Sequence, residues 1–244
     1  MRLSTRRHPP LPMLTPAEPE GPAAPPAAEP GAGFIRNVNT VCLSQIAIYG
    51  LAFILRVVLA QGLGDSGLGT YSLFFVAVLV AGGIANLGVG LGNIYFLNKG
   101  SHRYETLLST SLFVLIVSTA ITGVAVAAWG VLYGDDLFVR GTAFWLYAAA
   151  LPAVVAYVLL TSFLHGRSRF LALSSVAVVQ GLTGVAVAAG LYAYDELDVL
   201  GAIIAFTSSF LVADVVCFAV VTAGRLDIAA VFKPDFAALR EQVR

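Results

Sequence analysis

Charge is what this sequence most lacks. Lys, Arg, Asp and Glu make up 11% of its 244 residues, against 58% hydrophobic side chains and a mean hydropathy of +0.86. A soluble domain of this size carries about 25% charged residues, because its outside must face water. A chain this poor in polar surface cannot cover itself and must be solvated by lipid. The formal net charge is zero, so no basic footprint points to nucleic acid. Cysteine and histidine are scarce too. Cys42 and Cys217 both sit inside apolar runs, where a thiol behaves as a small hydrophobe. His8, His102 and His165 are far apart, and no HExxH, GxxxxGK[ST] or CxxC spacing occurs. No metal or other cofactor is expected.

What is present is long apolar runs. Six of them, Val41–Gln61, Thr70–Asn93, Leu107–Leu132, Thr142–Leu164, Leu171–Tyr194 and Val199–Val221, each meet the about 20 residues needed to cross a hydrocarbon core. Backbone polar groups cannot go unpaired in lipid, so these runs predict helices. The breaks between them, "GLGDSGLG", "NKGSHRYE", "GDDLFVR", "HGRSRF" and "DELD", are short and polar. Pro152, inside the fourth run, predicts a kink. The expected fold is an all-α, polytopic transmembrane bundle of six spans over residues 34–223. Residues 1–33, rich in Pro, Ala and Glu, read as a disordered cytoplasmic tail that cannot bury enough surface to offset its ordering entropy. Residues 224–244 read as a basic, amphipathic cytoplasmic linker or tail.

The sign of the loop charges predicts orientation. Arg36, Lys99, Arg103, Arg167, Arg169, Arg225, Lys233, Arg240 and Arg244 fall on one side. Arg140 stands on the other, with Asp65, Asp135, Asp136, Asp195, Glu196 and Asp198. Both termini are therefore expected in the cytoplasm, and the chain in the plasma membrane. An internal echo agrees with this alternation. "TGVAVAA" occurs at Thr122–Ala128 and again at Thr183–Ala189, each copy followed by tyrosine and acids, on two helices that would run the same way. A duplicated hairpin and chance in an Ala/Val/Gly-rich chain both account for it. Small faces of this kind let helices approach closely in lipid.

Between the first two spans the sequence reads "VLAQGLGDSGLGTYSLFFVAVLVAGGIANLGVGLGNIYFLNKG". Leu63-Gly64-Asp65, then Gly69-Thr70-Tyr71-Ser72, then Asn86-Leu87-Gly88 resemble the start of the polysaccharide exporters of the multidrug/oligosaccharidyl-lipid/polysaccharide flippase superfamily. Two positions depart from that pattern: Gln61 stands where the family has arginine before the turn, and Asn86 where it has the acid of its "DLG" signature. The resemblance implies one six-helix lobe of a two-lobed flippase, which moves lipid-linked oligosaccharide or polysaccharide precursors by alternating access, without covalent chemistry. It implies a second six-helix lobe or a homodimer partner, with the chain expected to stop at the lobe boundary. A truncated or degenerate, non-transporting membrane protein is the alternative. An integral membrane transferase is the less favoured alternative: the Asp135–Asp136 pair could hold Mg²⁺, but no His or Lys nearby completes a site, and a solvated acidic turn explains the pair more simply.

Two charges lie within the spans, Arg56 and Asp214. Intramembrane charges usually face a bundle interior or a wet cavity. Three readings of Arg56 stay open: snorkelling to the surface, a structural pair with Asp214, or a cavity arginine that meets an anionic substrate. The third has a chemical rationale, because a guanidinium fork matches the phosphate oxygens of a lipid-linked sugar. Gln45, Asn86, Asn93 and Gln180 could add neutral hydrogen bonds to sugars. Each could equally join helices. Asp214 is the candidate for ion coupling.

Overall fold

The computed structural model describes residues 30–100, 103–133 and 142–222. The expectations for the N-terminal tail before residue 30, for "GDDLFVR" with Asp135 and Asp136, and for 224–244 lie outside those residues. The described chain is helical throughout its elements: α1 (Pro30–Ala85), α2 (Val89–Lys99), α3 (Tyr104–Tyr133), α4 (Thr142–Gly166), α5 (Phe170–Ala193) and α6 (Val199–Thr222). Helix already begins at Pro30, four residues inside the stretch expected as tail.

Two expectations about the first spans are corrected. "GLGDSGLG" is not a polar loop. Helix continues on both sides of it, and Gly64 alone leaves helical geometry, at φ 63°, ψ −176°. That region is open essentially to glycine alone. Leu63 and Leu68 on either side pack against the core, so burial holds the flanks helical. Gly64 thus divides α1 into a first arm, 30–63, and a second arm, 65–85. The second correction concerns Thr70–Asn93, which is not one unbroken helix. It stops at Ala85 and restarts at Val89, across Leu87 at φ 49° and Gly88 at φ 75°. The Asn86 carboxamide oxygen accepts the Gly90 N–H at 3.3 Å, which satisfies one of the free donors at the start of α2. Asparagine therefore has a local use at this position.

Five described helices are long and apolar enough to cross a membrane, the first over Val38–Ala85. The bend at Gly64 makes that one helix two passes, so the bundle has six. The ends of the passes meet as alternation requires. Gly62 lies against Leu197 and Tyr192, and Gly67 against Val199. At the opposite end Gly166 lies against Leu97, while the Tyr104 hydroxyl donates to the Val221 carbonyl at 3.0 Å. Lys99, Arg103, Arg167 and Arg169 thus share one end, and Asp65, Asp195, Glu196 and Asp198 the other.

Helix α4 is the centre. The second arm, α2, α3, α5 and α6 all pack on it, and it runs on through Pro152. The second arm and α2 lie parallel to it: Gly82 faces Val154 and Val155, Gly90 faces Val158, and Leu97 faces Gly166. These glycines set the approach. A Cβ at Gly166 would come within 2.7 Å of Leu97 Cδ1, and one at Gly82 within 3.0 Å of Val154 Cγ1. Close contact of this sort is a main source of helix association in lipid. Phe74, Phe206 and Phe210 fill the space between the second arm and α6, with Phe74 and Phe206 edge-on at 5.8 Å. The first arm packs on α5 instead, Leu51 against Gly181 and Leu55 against Gly184.

Candidate functional site

The first arm has a buried side and an open side, fixed by helical spacing. Leu51, Leu55 and Leu59 turn toward α5 and the core. Gln45, Tyr49, Ala52, Arg56 and Ala60 recur at intervals of three and four, which places them on one face, and all are exposed. After the bend at Gly64 the second arm returns alongside. Arg56 is about eight residues before the bend and Tyr71 about seven after it, so both stand roughly 10–12 Å from it.

Between the arms lies a cleft of about 550 Å³ lined by Leu55, Arg56, Leu59, Leu68, Tyr71, Ser72, Phe75 and Val76, among others. Its polar groups are the Arg56 guanidinium, the Tyr71 phenol and the Ser72 hydroxyl; among the described residues no carboxylate lines it. Tyr71 is 8% exposed and lies within electrostatic reach of Arg56. Ser72 spends its hydroxyl on the Leu68 carbonyl at 2.7 Å. The exposed face continues along the second arm through Val76, Val80 and Gly83 to the helix break, where Leu87 and Gly88 are exposed as well. A charge and an interrupted backbone thus sit at two ends of one open, apolar face.

The structure distributes the sequence candidates over several places. Gln45 shares the face of Arg56. Asn86 is half-buried and caps α2. Asn93 is fully buried, and its amide donates to the Ser111 hydroxyl at 2.8 Å and the Ser162 hydroxyl at 3.0 Å. That joins α2, α3 and α4. Gln180 is half-buried on α5, next to the Gly181 that receives Leu51. Asp214 is half-buried on α6; its Oδ1 is buried without a hydrogen-bond partner among the described residues, and it lies near Tyr157 and Cys217. Arg56 and Asp214 do not pair among the described residues, which leaves the snorkelling and cavity readings of Arg56. Sequence reasoning missed Tyr71, Ser72 and Phe75 as lining. The signal was present in "GTYSLFF", where a polar pair opens the return helix opposite an intramembrane arginine.

No protein-family model and no curated protein matches the chain. One solved structure does match, a multidrug resistance MATE family transporter of the MOP superfamily in an outward-facing conformation. The match has a TM-score of 0.61 and 17% identity, and it covers 85% of this chain and 50% of that transporter. The chain therefore spans about half the length of the transporter whose fold it shares. At this identity the likeness shows the fold: a multi-pass helical membrane bundle like part of that transporter.

Proposed function

We propose that this chain is one lobe of a membrane transporter, with the cleft between the arms of α1 as one wall of its substrate path. The observation that carries the reading is the open face itself. It presents Arg56 at one end and the broken helix at Asn86–Gly88 at the other. In lipid, both are costly unless protein or a water-filled cavity covers them. A second lobe, or a second copy of this chain, set against this face would enclose both. Flippase-type transport puts the substrate between two such halves, near the bilayer midplane. The solved transporter's fold supports this arrangement, since this chain accounts for half of it.

The lining favours an anionic, partly apolar substrate. A cation entering the cleft would meet Arg56 with no carboxylate beside it. A phosphate or diphosphate carried on a lipid would meet a planar donor fork beside apolar walls. Lipid-linked oligosaccharide is such a substrate and matches the family resemblance of the Leu63–Gly88 stretch. On this reading Gln45 contributes a neutral contact along the same face. Asp214 is the coupling carboxylate, supported by an Oδ1 that has no hydrogen-bond partner among the described residues. The basic end of the bundle is cytoplasmic, as loop charge expects.

The test is transport in reconstituted vesicles of a radiolabelled polyprenyl diphosphate-linked sugar, with protein mass measured in detergent. Turnover by the chain as a dimer, or with a six-span partner encoded next to it, is expected. A clean monomer without turnover in either setting would overturn the reading.

A further inference from the structure

The basic end of the bundle carries a second chemistry that the cleft does not use. Lys99 closes α2, Arg103 precedes α3, and Arg167 and Arg169 lie between α4 and α5. Packing of Gly166 on Leu97 and Ile94 draws these segments together. The Arg167 guanidinium lies over the Tyr104 ring at 3.8 Å, and the Lys99 ammonium over the Tyr95 ring at 5.5 Å. Tyr104 also feels the charge of Arg169.

This ring is a fixed platform. Its hydroxyl is tied to the Val221 carbonyl at 3.0 Å, and its edge meets Phe163 at 5.3 Å. A guanidinium stacked on an anchored ring has lost much of its freedom before any ligand arrives. Its N–H donors, however, are unspent. All four cations are exposed, and none forms an ion pair among the described residues. Glu105, in the first turn of α3, is the acid nearest in sequence, and it pairs with none of them. The first turn of α5 has no acid, and no side chain caps its N-terminus.

The depth of the cluster decides what the partner is. Tyr95 and Tyr104 stand where apolar helices end and charge begins, the level at which tyrosines meet lipid headgroups. Basic pockets between helix ends at that level suit phosphorylated headgroups. We propose that Arg167, stacked on Tyr104, and Arg169, with Lys99 and Arg103 at the same end of the bundle, form a binding site for the phosphate of an anionic phospholipid headgroup. The site is independent of the transport reading, since it rests on the basic end and not on the cleft.

The full chain would be purified in mild detergent and equilibrated with mixed phosphatidylglycerol and phosphatidylcholine vesicles. Retained lipid is then counted by mass spectrometry. Phosphatidylglycerol should be enriched over phosphatidylcholine, and the double variant Arg167→Gln, Arg169→Gln should bind it more weakly by about thirtyfold, at roughly tenfold or less per charge. Equal retention of the two lipids by the unaltered chain would overturn the site. So would an undiminished preference in the double variant. Should that variant fail to fold, the unaltered chain still decides: its preference must weaken as salt rises from about 0.05 to about 0.5 M, because exposed charges are screened over a few Å at high salt. A salt-insensitive preference would overturn the proposal. A final arm adds inorganic phosphate at constant ionic strength. Retention of the lipid supports a headgroup site, whereas displacement by free phosphate overturns the assignment to lipid.

Discussion

Asn93 and Arg56 are both polar side chains carried through apolar runs, and the fold treats them in opposite ways. Asn93 is fully enclosed, with two hydroxyls from two other helices on its amide. Around it α2, α3 and α4 close a seam in which Ser111 and Ser162 are also buried. Arg56 stands exposed in a cleft whose walls are mostly apolar, and among the described residues no carboxylate answers it. A polar group whose needs are met inside the bundle joins helices. One whose needs are left open implies something outside the chain, either water, a ligand or a second protein surface. Residue type alone does not distinguish these cases, and neither does depth in the span. The neighbours brought by packing do.

The largest effect should come from the open side. Arg56→Gln is expected to lower transport of an anionic lipid-linked sugar by about tenfold or more, the scale of losing a charge-assisted hydrogen bond. Protein level should be normal. Normal transport in that variant would return Arg56 to snorkelling and erase the contrast. Next is the bend between the two arms. Gly64→Ala places a Cβ in open space yet forces it into a backbone region that side chains avoid, at about 1–3 kcal/mol. Thermal unfolding in detergent should fall by several degrees, and an unchanged Tm would mean that the bend relaxes without glycine.

The closed side should respond through stability alone. Asn93→Leu removes two interhelical hydrogen bonds, each worth about 0.6 kcal/mol in comparable bundles. Lower thermal stability with transport per folded molecule unchanged is the expected pair of results. If transport falls while stability holds, Asn93 belongs with Arg56 after all. The smallest change is Tyr104→Phe, which deletes the bond to the Val221 carbonyl but keeps the ring beneath Arg167. A loss of about 0.6 kcal/mol is expected for this one bond, with the lipid preference of the basic end retained. A lost preference would mean that the hydroxyl, and not the stacking, organises the cations.

Much of this was legible in the sequence, for reasons that can be named. Hydropathy alone located the helices well where each run ends in charge. Leu171–Tyr194 became Phe170–Ala193, and Val199–Val221 became Val199–Thr222. There Asp198, whose carboxylate accepts the Gly201 N–H at 2.7 Å, marks the start of α6 in the manner of an N-cap. The turn between the first two spans was misjudged because its glycines and Asp65 look like loop chemistry. Only the packing of Leu63 and Leu68 explains why helix persists through it. The break at Asn86–Gly88 and the restart at Val89 were hidden, because Thr70–Asn93 is one continuous apolar run by hydropathy. As for the candidate site, Arg56 was visible as a charge in an apolar run. Tyr71 and Ser72 became its neighbours only through the return of the second arm, a long-range fact that no local pattern encodes. Of the three readings of Arg56, the pair with Asp214 is not formed among the described residues, where Asp214 lies near Tyr157 and Cys217 instead.

Because one residue separates the two arms, the bundle has a crease. The first arm packs on α5, and the second on α4 and α6. Helices are stiff rods, and a rod pivoting at Gly64 turns small angles into large strokes. The second arm extends about 30 Å from the pivot to Ala85, so a rotation of ~10° there would carry its far end through ~5 Å. The same rotation changes the cleft near the pivot much less. The mouth of the wedge can therefore widen while its apex keeps its form.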